Sequence, residues 1–140
     1  MIRLLFDTDH VSLQERGDPA LRQRLLVTPP DEIAVSIVTV EEMLRGRLAI
    51  LSRRREGAAR VHAYGKLRET IAFFNSVQVV AFDLACEQKF QALRALRLRL
   101  GSQDLRIAAT AIVHNLIVVT RNQRDFARVP GLRLEDWSTR

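Results

Sequence analysis

The sequence predicts an α/β fold, a central parallel sheet of four to five strands flanked by helices, built as one domain over residues 1–140. Three observations predict it. Short apolar runs recur at residues 2–6, 33–38, 77–82 and 116–120, the second of them rich in β-branched residues. Stretches with helical periodicity separate them, and two parallel neighbours cannot be joined by a tight turn, so the pairing is parallel with right-handed crossovers. Polar residues follow the runs ending at Phe6, Val38 and Thr120, which in a parallel sheet places those residues on one edge. A chain of 140 residues can bury one core. No internal repeat, low-complexity tract or linker divides it.

The opening run Ile2-Arg3-Leu4-Leu5-Phe6 stops at Asp7-Thr8-Asp9. It reads as a buried strand with carboxylates at its C-terminal end, where open α/β sheets form their ligand crevice. Asp9 is the expected N-cap of a short helix over residues 10–16, ended by Gly17-Asp18-Pro19. Pro19 starts a second helix that runs to residue 27, before Thr28-Pro29-Pro30 breaks the pattern. After the strand at 33–38, Thr39-Val40-Glu41-Glu42 has capping-box spacing and opens a helix striped by Met43, Leu44, Leu48 and Leu51. A basic turn, Ser52-Arg53-Arg54-Arg55-Glu56-Gly57, separates it from a helix at 58–74 that should pack back as an antiparallel hairpin, with Gly65 as a weak point. The strand at 77–82 leads to Asp83, the cap of a long helix over 84–100 that carries Arg94, Arg97 and Arg99 and stops at Gly101. Ser102-Gln103-Asp104 opens an apolar helix over 105–115, the strand at 116–120 follows, and Leu132-Arg133-Leu134 forms a short fifth strand.

The formal charge is +6 with a pI near 10.9, which favours a polyanionic partner. Of 22 basic residues only Lys66 and Lys89 are lysines, and arginine's planar fork matches phosphate oxygens; a coding bias toward arginine explains the count equally well. Arg53, Arg54 and Arg55 in the turn, with Arg94 and Arg97 on one helical face, are the expected contacts to such a partner. The single Cys86 forms no internal disulfide. With no signal pattern and no apolar run long enough to span a bilayer, the expectation is a cytoplasmic protein with no membrane partner.

By the strand-end logic Asp7, Glu42, Asp104 and Asn122 converge, with Asp9 and Asp125 close behind and Thr39 and Thr120 supporting. Each acid also has a purely structural role open to it. Asp7 and Asp9 can cap a helix, Glu42 can be Thr39's partner in a capping box, and Asp104 can complement a helix dipole. Together they demand more. Carboxylates ~4 Å apart repel by about 1 kcal/mol in water and roughly 4 kcal/mol at an effective dielectric of 20, so three in a cluster need protonation or a cation. Hard oxygen ligands suit Mg²⁺ or Mn²⁺. His62 and His114 are placed inside helices and Cys86 on a helix away from the strand ends, which disfavours zinc. Such a cation on a basic domain would activate water and neutralise charge on a phosphodiester, the chemistry of a nuclease.

Four segments carry a family resemblance. Leu5-Phe6-Asp7-Thr8-Asp9, then Ser36 through Gly46, then Asp104 through Ala111, and last Val119 through Phe126 resemble the PIN-domain ribonucleases, in particular the VapC-like toxins of toxin–antitoxin pairs. The segments arrive in the family's order and cover nearly the whole chain. The resemblance implies a metal-dependent endoribonuclease with Asp7, Glu42 and Asp104 as metal-binding carboxylates. The fourth position falls on Asn122 or Asp125, and the neutral Asn122 departs from the most acidic version of the pattern. A neutralising antitoxin and a homodimer are implied as well.

Two rival functions compete. A haloacid-dehalogenase-like phosphatase also begins with a strand and Asp-x-Asp, but needs a later lysine and acidic pair; Lys66 and Lys89 both lie in helical stretches, and a phosphoreceiver domain fails for the same lack of lysine. A non-catalytic RNA-binding or partner-binding module would keep the fold and lose the metal, with Asn122 as its mark.

Overall fold

The computed structural model describes residues 1–54 and 56–138. Five strands form one parallel sheet in the order β3-β2-β1-β4-β5. They are β1 (Leu4–Phe6), β2 (Ile33–Ser36), β3 (Gln78–Val80), β4 (Ile117–Val119) and β5 (Arg133–Glu135). β1 is central, Leu4 pairing with Ile33 on one side and Ile117 on the other, and all three of its residues are fully buried. Period-two alternation splits them between two cores. Leu5 joins Ala34 and Val118 under α5 (Leu84–Ala95) and α6 (Ser102–Val113). Leu4 and Phe6 join Val35, Val119 and Trp137 on the opposite face, under α1 (Thr8–Glu15), α2 (Pro19–Leu26), α3 (Ile37–Arg53) and α4 (Gly57–Asn75). A four-residue α7 (Gln123–Phe126) follows β4. The strand order turns back at β1, so the ends of β1 and β4 lie side by side: Asp7 N–H donates to Val119 O at 3.1 Å.

Several element boundaries differ from the sequence reading. The cap of α1 is Asp7 rather than Asp9, its carboxylate accepting His10 N–H at 2.8 Å. The cap of α3 is Ser36, whose Oγ accepts Val38 N–H at 3.0 Å, so the helix takes over Ile37 and Val38. Thr39 is therefore inside the helix, and no capping box links it to Glu42. The hairpin of α3 and α4 is antiparallel as expected: Arg47 Nε donates to Thr70 Oγ1, while Arg54 and Ala59 meet at the turn. Gly65 does not interrupt α4. α5 ends at Ala95, and Arg97 adopts a left-handed φ of 55°, so Arg94 and Arg97 do not share a helical face.

Candidate active site

The C-terminal edge of the sheet carries an open cleft of about 470 Å³ lined by Asp7, Thr8, Asp9, Ser12, Asp104, Asn122 and Phe126. Each acid arrives by a different element. Asp7 follows β1 and is 4% exposed. One of its oxygens is committed to the cap of α1, which holds the side chain at the positive end of that helix. Glu42 projects from α3 and accepts a 2.6 Å hydrogen bond from Thr8 Oγ1, the hydroxyl that also lies 3.1 Å from Thr39 Oγ1. Asp104 stands in the first turn of α6. Asp125, in α7, has one oxygen 2.9 Å from Arg128 Nη1.

These groups share one field. The Asp104 carboxyl is pushed up from 3.8 to about 6, first by burial and then by the negative charges of Glu42, Asp7 and Asp125. Asp125 thus contributes charge where Asn122 cannot. Asn122 lines the cleft with its side chain outside the cap of α7, and its backbone N–H is held by buried Thr120 Oγ1 at 2.9 Å. Asp9 is claimed elsewhere: Arg121 grips both its oxygens, at 2.6 and 3.0 Å. Among the described residues, no three of these carboxylates bring their oxygens within 4.8 Å of one another.

The expectation that no histidine lies near these carboxylates is corrected. His10 Nδ1 is 3.4 Å from Asp7 Oδ1, but the ring is fully buried on the core side, away from the cleft. Trp137 N–H donates to its Nε2, so a neutral ring carries its proton on Nδ1, facing Asp7 without a formed hydrogen bond. His114 is likewise not interior to a helix but closes α6.

Of the expected RNA-binding arginines, Arg53, Arg54, Arg94 and Arg97 are exposed and none lines the acidic cleft; Arg55 lies outside the described residues. A second cavity shares Asp9 and Ser12 with that cleft and is lined further by Glu15, Arg16, Arg47 and Lys66. Thr8, Ser12, Arg121 and this basic rim were missed by the sequence reading. Only Arg121 carried a signal, since it directly follows the end of β4.

The PIN domain family model matches residues 6–132. The tRNA(fMet)-specific endonuclease VapC of Salmonella typhimurium is 27% identical over 142 residues, covering 98% of this chain and 99% of that protein. Among solved structures, the DNA-bound VapBC from Salmonella typhimurium superposes with a TM-score of 0.80 at 25% identity, covering 98% of this chain and 99% of its match. A toxin–antitoxin complex from Klebsiella pneumoniae gives 0.68 at 27% identity, covering 92% and 94%. A parallel sheet with acids gathered at the ends of β1 and β4, and a family match that spans both, make this chain a member of the PIN domain family.

Proposed function

We propose that this chain is a metal-dependent endoribonuclease and the toxin of a toxin–antitoxin pair, acting in the cytoplasm, with Asp7, Glu42 and Asp104 as its principal metal-binding carboxylates. The observation that carries the reading is the position of Asp104 in the acidic cleft, where burial first and then the charges of Glu42, Asp7 and Asp125 resist its ionisation. Asn122 and Asp125 share the fourth position, the amide offering a neutral oxygen and the carboxylate the charge. A bound Mg²⁺ or Mn²⁺ would supply compensating charge beside a phosphodiester and a more acidic water.

This chain's own residues prepare that chemistry. Thr8, which lines the cleft, donates its hydroxyl to Glu42, and the cap of α1 ties down one oxygen of Asp7. Asp104 holds its proton up to about pH 6, and a cation in the cleft would favour its ionised form. Arg121 ties down Asp9 at the rim, which assigns Asp9 to positioning rather than to the metal. Arg16 and Lys66 form the most direct basic approach for an RNA strand. The antitoxin belongs to the same reading, supported by the VapBC complexes among the structural relatives, and the homodimer follows from the family resemblance alone. Among the described residues no helix is long and apolar enough to cross a membrane.

Purified protein incubated with total RNA tests the reading. Cleavage should require Mg²⁺ or Mn²⁺, stop with chelator and be lost in Asp7→Asn; mapping the cut ends then identifies the target. Cutting that survives chelation overturns the metal-dependent mechanism. A folded wild-type protein that binds RNA without cutting it leaves the non-catalytic module.

A further inference from the structure

At the far end of α6 from Asp104, three side chains of different chemistry meet. Asp83 caps α5, and its Oδ1 accepts Cys86 N–H at 3.0 Å, a cap bond that sets the two residues side by side and leaves Oδ2 free. His114 closes α6, which packs antiparallel on α5 and brings Nε2 3.8 Å from Cys86 Sγ and 3.9 Å from Asp83 Oδ2. Asn115, at a left-handed φ of 57°, ends the helix there, and Arg133 fixes it through two 3.0 Å hydrogen bonds to its carbonyl and side chain. Both sides of the cluster are therefore anchored by backbone structure. Among the described residues this is the one trio of Asp, Glu, Cys or His side chains whose ligand atoms all lie within 4.8 Å of one another.

We propose that Asp83 Oδ2, Cys86 Sγ and His114 Nε2 form a second metal site, for Zn²⁺ or another thiophilic divalent cation, with water as the fourth ligand. Tetrahedral zinc with bonds of about 2.0–2.3 Å sets its ligand atoms roughly 3.3–3.6 Å apart. The two separations from His114 Nε2 exceed that by a few tenths of an ångström, and the third, between sulfur and carboxylate, lies within 4.8 Å, all within reach of side-chain rotation. The donor set is the soft one, sulfur and imidazole nitrogen with one carboxylate oxygen, that distinguishes zinc from the hard cations suited to the acidic cleft.

A nucleophilic triad and a plain core cysteine both fit less well. A triad would have the aspartate bind the imidazole nitrogen opposite the one facing sulfur, whereas here sulfur and carboxylate both face Nε2. Burial also pushes the thiol up, which disfavours a free nucleophile. A core cysteine accounts for the burial of Cys86 but not for the convergence of two further ligands on it. Solvent reaches the site from the open side, where His114 lines a cavity of about 320 Å³ with Met1, Ile2 and Val80. Metal binding would release the thiol proton to solvent and clasp the start of α5 to the end of α6.

The test uses the untagged full chain, stripped of metal and titrated with Co²⁺. The chain has one cysteine, so a thiolate-to-cobalt charge-transfer band in the wild-type protein can only come from Cys86. The expected result is that band at one equivalent, bleached by Zn²⁺, intact in Asp7→Asn, and at least about tenfold weaker in Co²⁺ affinity for His114→Gln and Asp83→Asn. Asn at position 83 still caps the helix, so that variant tests the ligand separately from the fold. Absence of the band from folded wild type, or its survival unchanged in His114→Gln, would overturn the site.

Discussion

Replacing Asp104 by Asn should stabilise the protein while removing its chemistry. In the native state the carboxyl titrates at about 6, against 3.8 unperturbed. The native form therefore holds its proton more tightly than the unfolded chain, and wild type loses stability as pH rises through that window. The full cost appears only above the native value. At 1.36 kcal/mol per pH unit the difference would be roughly 3 kcal/mol for a fully buried group. Asp104 is only half-buried, and solvent screening reduces this to about 1–1.5 kcal/mol. Asn is nearly isosteric and sheds the charge, so at neutral pH it should raise Tm by about 3–6 °C for a domain of this size. The gap should narrow as pH falls below about 6 and close only well below 3.8, where wild type is protonated in both states. Thermal melts of both proteins from acid to neutral pH, without metal and then with Mg²⁺, read this directly. Mg²⁺ should raise the wild-type Tm and leave the variant's nearly unchanged, because the ion supplies the compensation that the substitution makes unnecessary. A variant no more stable than wild type at neutral pH, or a gap that ignores pH, would refute the shared field on Asp104.

Three further outcomes are expected. Glu42→Gln keeps an oxygen for the Thr8 hydroxyl, so stability should stay within about 1 kcal/mol while RNA cleavage falls by more than about tenfold; a variant that cuts at the wild-type rate would make Glu42 structural. Arg16→Gln with Lys66→Gln should lower the salt slope of RNA binding by about one per lost phosphate contact, while neutralising Arg94 and Arg97 should leave it unchanged; the reverse pattern would move the footprint to α5. An antitoxin that inhibits by placing an Arg or Lys among the carboxylates should be relieved by excess Mg²⁺ or Mn²⁺ and should bind Asp7→Asn less tightly; inhibition indifferent to both would point to occlusion of the cleft instead.

The sheet was legible because β-branched runs bounded by polar residues have few alternatives, and all five strands lie inside or beside the segments read for them. The caps were not. Ser36 and Thr39 are both cap-type residues, and the run through Ile37 and Val38 reads as strand on local preference; the Ser36 cap bond to Val38 N–H starts the helix before those two residues, and Val38 packs into the core under α5 and α6. Arg97 gives no warning of its left-handed backbone, since neither Gly nor Asn marks the end of α5. The convergence of Asp7, Glu42 and Asp104 followed from strand ends alone. The histidines were beyond reach, because His10 meets Trp137 at a separation of 127 residues and His114 meets Cys86 only when two helices dock.

The structural and chemical roles of the acids, which compete when the sequence is read residue by residue, describe one device in the fold. A buried carboxylate stays ionised only if donors or positive dipoles surround it. Asp7 obtains them as the cap of α1, and Glu42 obtains the Thr8 hydroxyl. A helix cap and a hydroxyl thus tie down one oxygen of each of these two acids before any cation arrives. Asp104 has the first turn of α6 but, among the described residues, accepts no hydrogen bond from side chain or backbone. It is the least compensated member, which is why the strain of like charges collects there and not evenly over the group. A cation entering the cleft gains most from the carboxylate that the protein has left unsatisfied. The same imbalance makes Asp104 the residue whose titration should report metal binding, and its ionisation the step that couples an occupied site to the stability of the fold.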